Sequence, residues 1–327
     1  MRARATLRAF PGAVLLLAAS CAGEQASPDT GISEPLRIET GQFVPGSLPG
    51  SPQQAASARD GGVSPQVTDV NVANTAVEQG EEGLLFSGHA TTDAQAVGVR
   101  FADLGTGYWV VPVGAPDPSD EGLLTWQAST DFGRNLPPGF HNLVFAAIAA
   151  DGSSGTQSDL SVCIDLPVPD NLNICVPKRP PPAAVLSLSW DSPVDLDLIV
   201  GTPTGKTIGG KTGSSEPPDA GSAANPASGV LDRDSNRDCV IDDIDREDVV
   251  WQSTPPTGSY QVWVDLFSAC GKPAVSFTVS LWLAEPQADG TQRLVQQQPP
   301  LATGMLTSVQ ANGGSSPGLY VGAFVLR

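Results

Sequence analysis

The 327 residues carry 35 acidic side chains against 17 lysines and arginines, a net charge of −18. So acidic a chain repels nucleic acid phosphates and anionic lipid headgroups, which argues against both as electrostatic partners. Glycine (35) and proline (30) are abundant and long amphipathic helical patterns are missing, so the composition predicts an all-β chain long enough for about two domains.

Arg2, Arg4 and Arg8 precede the apolar run AVLLLAA, Ala13 to Ala19, which is too short to span a bilayer and has the form of a secretory signal. The run ends in LAASC, small residues directly before Cys21, and this resembles the lipobox of bacterial lipoproteins. The resemblance implies removal of residues 1–20 and attachment to the membrane through lipid on the Cys21 thiol and amine. Ala18 stands where that family prefers leucine, with Leu17 one place earlier. Ala22 replaces the aspartate that retains such proteins at the inner membrane, which implies the outer membrane, on its periplasmic face or at the cell surface. The other reading is ordinary signal cleavage, leaving a soluble secreted protein with a free Cys21. Four further cysteines, 163, 175, 239 and 270, make an even number in an oxidising compartment, so two disulfides are expected. Nearness along the chain suggests Cys163 with Cys175 and Cys239 with Cys270.

Residues 21–64 are rich in Ser, Pro, Gly, Ala and Gln with few large apolar side chains, the composition of a disordered tether. Residues 65–166 hold seven short β-like runs separated by turn residues, among them GLLFSGHATT, GYWVVPVGA and FHNLVFAAIAADG, and this spacing predicts an antiparallel sandwich. Leu143, Phe145 and Ala147 alternate onto one face. The phrase LPPGFHNLVFAAIAADGSSG resembles the penultimate strand and turn of bacterial immunoglobulin-like domains. Residues 167–182, PVPDNLNICVPKRPPP, read as a proline-rich hinge that a Cys163–Cys175 bridge would fold back on the last strand.

In residues 183–327 the pattern is again β. VLSLSW puts Leu186, Leu188 and Trp190 on one face, and DLDLIV puts Leu196, Leu198 and Val200 inward with Asp195 and Asp197 opposite. WDSPVDLDLIV, the acidic GVLDRDSN and PPTGSYQVWVDLF together resemble the YfaP-like domain of bacterial exported proteins, a relative of pre-peptidase C-terminal sandwiches. The resemblance implies a jelly-roll-like accessory domain and brings no biochemical activity with it.

Three motifs bear on chemistry. GKTIGGKT, 205–212, matches the phosphate-loop pattern, but prolines at 217, 218 and 226 follow where that loop needs a helix, so no nucleotide site is expected and the segment reads as a flexible surface loop. In DRDSNRDCVIDDIDRED, 232–248, the spacing resembles dockerin-type calcium loops: Asp234, Asn236 and Asp238 take positions 1, 3 and 5, Val240 offers a carbonyl at 7, and Asp242 and Asp245 take 9 and 12. Cys239 falls where the loop turns through a left-handed conformation and wants glycine, and a bridge to Cys270 would hold that turn. The plainer reading is a solvated acidic turn with Asx caps, paired to Arg233, Arg237 and Arg246. Asp195 and Asp197 read as exposed strand carboxylates, with a supplementary ligand role open.

His89 and His141 stand apart, at no metal spacing, and read as surface residues; G-x-S-x-G and H-E-x-x-H are missing. Tyr108 and Trp109 are adjacent in a strand, so one of them faces outward. These features point to a non-catalytic binding or structural module of the cell envelope, its partner an envelope protein or a glycan. The competing class is a secreted carbohydrate-active enzyme working through an acidic pair, which a cleft holding two facing carboxylates would favour.

Overall fold

The computed structural model describes residues 31–50, 64–216 and 225–327. Cys21 and the expected signal segment lie outside them. The first unit contains β1 (Leu36–Ile38), β2 (Gln42–Pro45), β3 (Val67–Val72), β4 (Ala76–Glu78), β5 (Leu84–Thr91), β6 (Ala96–Phe101), β7 (Gly107–Pro112), β8 (Pro116–Asp117), β9 (Asp120–Phe132), β10 (Gly139–Ile148) and β11 (Ser158–Asp165). One sheet runs β1-β9-β5-β3 with β8 beside β9, and the other runs β2-β7-β6-β10-β11-β4. Every pairing is antiparallel except β11 with β4. Between the sheets, Phe86, Trp126 and Phe132 meet Phe101 and Phe145, and Leu143 and Ala147 point inward with Phe145 as their alternation predicts.

The expected tether is shorter than its composition suggests. Leu36 and Ile38 are buried in the first core, and Phe43 packs against Trp109 with ring centroids 5.5 Å apart. The Trp109 indole donates to the Leu36 carbonyl at 2.8 Å. β1 and β2 complete edges of sheets that already exist, so a few apolar side chains are enough to order them. Trp109 is thereby inside, and Tyr108 is the one that faces out, half-buried.

The expected hinge is a pinned connector. A Cys163–Cys175 disulfide closes it, and Val168, Asp170, Asn173 and Ile174 are buried. Asn173 donates through its amide to the Arg179 carbonyl at 2.6 Å, and Asn171 to that of Pro180 at 3.1 Å. Leu166 and Val168 rest on Val185, Val250, Leu294 and Trp282 of the second unit.

The second unit contains β12 (Ala184–Trp190), β13 (Asp195–Gly201), β14 (Thr207–Ile208), β15 (Val230–Leu231), β16 (Arg246–Trp251), β17 (Gly258–Ser268), β18 (Ala274–Pro286), β19 (Gln292–Gln296), β20 (Ala302–Thr307) and β21 (Leu319–Leu326). Its sheets are β15-β16-β12-β18-β19 with β20 beside β18, and β14-β13-β17-β21, antiparallel throughout. Leu186, Leu188 and Trp190 face Leu196, Leu198 and Val200 across this core. The chain is therefore all-β, two sandwiches in series.

Candidate functional site: a carboxylate cluster at one end of the second sandwich

Because Leu196, Leu198 and Val200 face the core, Asp197 is on the other face of β13, directly opposite Asp265 of β17. A bulge between Asp195 and Leu196 sets Asp195 beside it. The acidic loop returns over this end of the sheet and delivers Asp234. Carboxylate oxygens of Asp195, Asp197 and Asp234 all lie within 4.8 Å of one another. Gly210 is the roof: a Cβ there would sit 3.1 Å from Asp234 Oδ2 and 3.3 Å from Asp197 Oδ1. The GKTIGGKT segment is thus part of the site's wall and not a loose loop. Its Thr207 and Ile208 pair with β13, Ile208 is fully buried, and Lys211 Nζ donates to the Gly314 carbonyl at 2.5 Å. Residues 212–216, directly after Lys211, are turn, bridge and bend and start no helix, so the segment is no phosphate loop.

The cluster carries its charge reluctantly. Burial pushes Asp195 up to about 6 and Asp197 to about 7, with neighbouring carboxylates adding to both. Asp234 and Asp265 are raised for the same first reason, and Lys211 offsets part of the rise at Asp265 and Asp197. Beneath them Glu247 is fully enclosed; one oxygen accepts from the Leu198 N–H at 2.7 Å and the other from the Ser235 N–H at 3.3 Å. Burial raises it well above the usual range. Asp195 is 2 % exposed, so the reading of Asp195 and Asp197 as exposed carboxylates is corrected: the bulge and the overlying loops cover them.

The six residues of the calcium-loop spacing do not all converge. Asp234 joins the cluster just described. The Asn236 side chain holds the loop together instead: Nδ2 donates to the Val194 carbonyl at 3.2 Å and to Asp245 Oδ1 at 3.0 Å, while Oδ1 accepts from the Asp242 N–H at 3.1 Å. Asp242 Oδ1 caps the Ile244 N–H at 3.0 Å. Asp238 gives its N–H to Asp195 Oδ2 at 2.7 Å while its carboxylate stands in solvent near Arg237, and the Val240 side chain is also exposed. Cys239 has φ 61°, the left-handed conformation that the spacing calls for, and is bridged to Cys270. Asx caps and arginine pairs are present as well: Arg233 with Asp232, Arg237 with Asp234 and Arg246 with Asp248.

Asp265 and Glu247 went unread in the sequence. VWVDLF repeats the alternation of DLDLIV, and cross-strand pairing of those two runs was the available signal for Asp265. Glu247 in RED looks like a surface acid and carries no such mark.

The histidines are structural and not loose surface groups. His89 is held between Asp69 (2.7 Å) and Asp117 (2.6 Å), and His141 bonds Asp103 at 3.0 Å and lies edge-on to Phe101. A cleft of about 730 Å³ opens between the sandwiches, lined by Glu78, Glu81, Asp165, Asp170, Arg179, Arg233 and Arg246 among others. A third feature is an aromatic pair on the outer face of the four-stranded sheet. Trp263 lies over Gly201 and meets Tyr320 at 5.5 Å, with Tyr320 53 % exposed.

No protein family model matches the chain, and no curated protein does. Among solved structures it is similar to dimeric latent PorU from Porphyromonas gingivalis, at 9% identity and a TM-score of 0.22, over 79% of this chain and 31% of that one. It is similar to the fibronectin(III)-like modules of Clostridium thermocellum CbhA at 11% identity and TM-score 0.16, over 74% of this chain and 95% of that one. The C-terminal domain of the Streptococcus agalactiae AgI/II polypeptide BspA gives 9% identity and TM-score 0.19, over 72% and 95%. Structural likeness this slight leaves the function to be argued from the chain's own residues.

Proposed function

We propose that this chain is an exported, lipid-anchored module of the bacterial cell envelope that works by binding or support and not by catalysis, with a divalent cation fastening the second sandwich. The observation that supports the cation is the convergence of Asp195, Asp197 and Asp234 oxygens within 4.8 Å under the Gly210 roof. Three carboxylates at that separation repel strongly unless protons or a cation lie among them. Hard oxygen donors with no nitrogen or sulfur suit calcium, and an extracellular module needs only weak affinity. Export is supported by the two disulfides, which persist in oxidising compartments, together with the signal-like N-terminus. A glycan partner is favoured by the pair of half-buried Trp263 and exposed Tyr320, since aromatic faces suit sugar rings.

The hydrolase alternative asks for two carboxylates about 5 to 9 Å apart across an open cleft. The interdomain cleft does bring Asp165 and Asp170 together, but these two touch, and Asp170 is buried, which suits a structural pair.

The test has two arms. Cys21→Ala should move the protein from the detergent phase to the aqueous phase in a phase-partition assay; unchanged partition would remove the lipid anchor. In the soluble chain, millimolar calcium should raise the melting midpoint of the second sandwich relative to chelator. At a calcium concentration 100 times Kd the gain is about 2.7 kcal/mol. Asp197→Asn with Asp234→Asn should abolish the shift, and an unshifted wild type would retire the cation.

A further inference from the structure

We propose that the connector between the two sandwiches is a proton-operated latch: a proton held between the Asp165 and Asp170 carboxyl groups keeps the intervening residues seated on the second sandwich, and its loss to bulk water in mildly alkaline solution unseats them.

Asp165 ends β11 and Asp170 lies five residues on, both inside the ring closed by Cys163–Cys175. Each carboxyl is fixed on one oxygen, Asp165 Oδ1 by the Leu166 N–H at 2.9 Å and Asp170 Oδ2 by the Ile174 N–H at 2.9 Å. Asp170 Oδ1 is fully enclosed and has no hydrogen-bond donor. A buried acceptor left bare costs about 1–3 kcal/mol, more for a charged group. The Asp165 carboxyl is within hydrogen-bonding reach of Asp170. Protonated, Asp165 supplies the missing donor; ionised, it sets a second negative charge against a buried carboxylate.

The surroundings hold that proton in the neutral range. Burial is the main cause, Asp170 the next and Glu78 of β4, the register partner of Asp165, a further one, and together they push Asp165 up to about 7. Glu81 lies in the same cleft. The nearby cations are engaged or at the rim. Arg246 of β16 bonds Glu78 at 2.7 Å and Asp248 at 3.0 Å, Arg233 bonds Asp232, and Arg179 stands exposed at the connector's far end.

What the pair controls lies between its members. Leu166 and Val168 are the connector's apolar contacts with Val185, Val250 and Trp282 of the second sandwich. Two adjacent charges are relieved only if the strand between them lifts, and lifting takes Leu166 and Val168 off that surface. The disulfide limits the motion to this short ring, so the connector opens without unravelling.

Hydrogen exchange at the Leu166, Val168 and Asp170 amides in the full mature chain, normalised to the intrinsic pH dependence of exchange, tests the latch between pH 6 and 8.5. One ionisation below full opening gives up to tenfold more exchange per pH unit, so wild type should gain about 30-fold above pH 7. Asp165→Asn carries a permanent amide donor and should stay protected at both pH values, while Asp165→Ala should exchange fast at both. Carboxyl carbon-13 resonances of the wild type give a check that needs no variant: Asp165 should titrate together with the loss of protection. Protection that is flat with pH in wild type overturns the latch. So does a pH dependence that Asp165→Asn retains, because it would then belong to another group such as Asp248.

Discussion

The two sandwiches share an architecture and treat their acids in opposite ways. In the first, the core is aromatic and aliphatic, and apart from Asp165 at the seam its perturbed acids stand at the surface. Asp117 is lowered by the Ser119 N–H and then by His89, and Asp151 by Ser153. In the second, Asp195, Glu247, Asp248 and Asp265 are all enclosed, and burial raises every one of them. The core of the first unit therefore rests on packing that is indifferent to protons, with His89 and Asp165 outside it. The second carries carboxylates that water would rather keep, so its stability depends on what shares the space with them, whether protons, arginine or a cation.

The comparison is tested most severely by Phe145→Ala. That ring is fully buried against Phe86 and Trp126, and its loss should cost about 3–5 kcal/mol, seen as an earlier first-sandwich transition in urea with the second unmoved. Replacing a disulfide comes next. Cys239 and Cys270 are separated by 31 residues and Cys163 and Cys175 by 12, so loop entropy assigns about 4 and about 3 kcal/mol to them. Cys239→Ser with Cys270→Ser should weaken the second sandwich by more than the shorter loop's loss weakens the first, and also loosen the acidic turn, since Cys239 and Cys270 both hold positive φ. Equal shifts from the two pairs would show that loop size is not what matters here.

Glu247→Ala is a sharper probe. It strips acceptors from two buried N–H groups, those of Leu198 and Ser235, at about 1–3 kcal/mol each, offset in part because a buried carboxyl is removed. A loss of about 2–4 kcal/mol confined to the second transition is expected. A gain in stability would mean that burying this acid costs more than its two hydrogen bonds return.

How much of this was legible beforehand follows the physics of each signal. Strand alternation reports which face is apolar, so Leu143, Phe145 and Ala147, or Leu196, Leu198 and Val200, were readable one run at a time. The disulfide pairs were readable from nearness, and the left-handed turn at Cys239 from its loop position. Residues 36–45 were not, because composition measures what a segment can bury alone, and β1 and β2 borrow sheets made by others. The carboxylate cluster was read from one loop only. Asp234 was found there, but Asp195 and Asp197 gain their meaning from the bulge and from the Gly210 segment and the acidic loop that fold over them, a tertiary fact that no local spacing encodes.

The smallest expected effect is the one that separates the two units by the pH window in which each loses stability. His89 is raised above 6.5, first by its bond to Asp69 and then by that to Asp117. A raised histidine contributes stability that is fully present below pH 6.5 and is lost as pH climbs through its folded pKa. Asp117, lowered, contributes above its ordinary 3.8 and loses that contribution as pH falls. With Asp165→Asn removing the proton held at the seam, the first sandwich should therefore melt at a nearly constant temperature from about pH 5 to 6.5 and drop slightly above it, and His89→Gln should remove the drop. Asp248 acts over a lower window: its pKa, pushed up by burial to about 7, means the folded second sandwich keeps a proton that the unfolded chain gives up near 3.8, so stability falls progressively across that interval. Melting curves recorded from pH 4 to 8 should give a plateau for one transition and a slope for the other. If both transitions followed one profile, the contrast between surface acids and enclosed acids would have no thermodynamic consequence, and the pH response would have to come from the seam where the sandwiches meet.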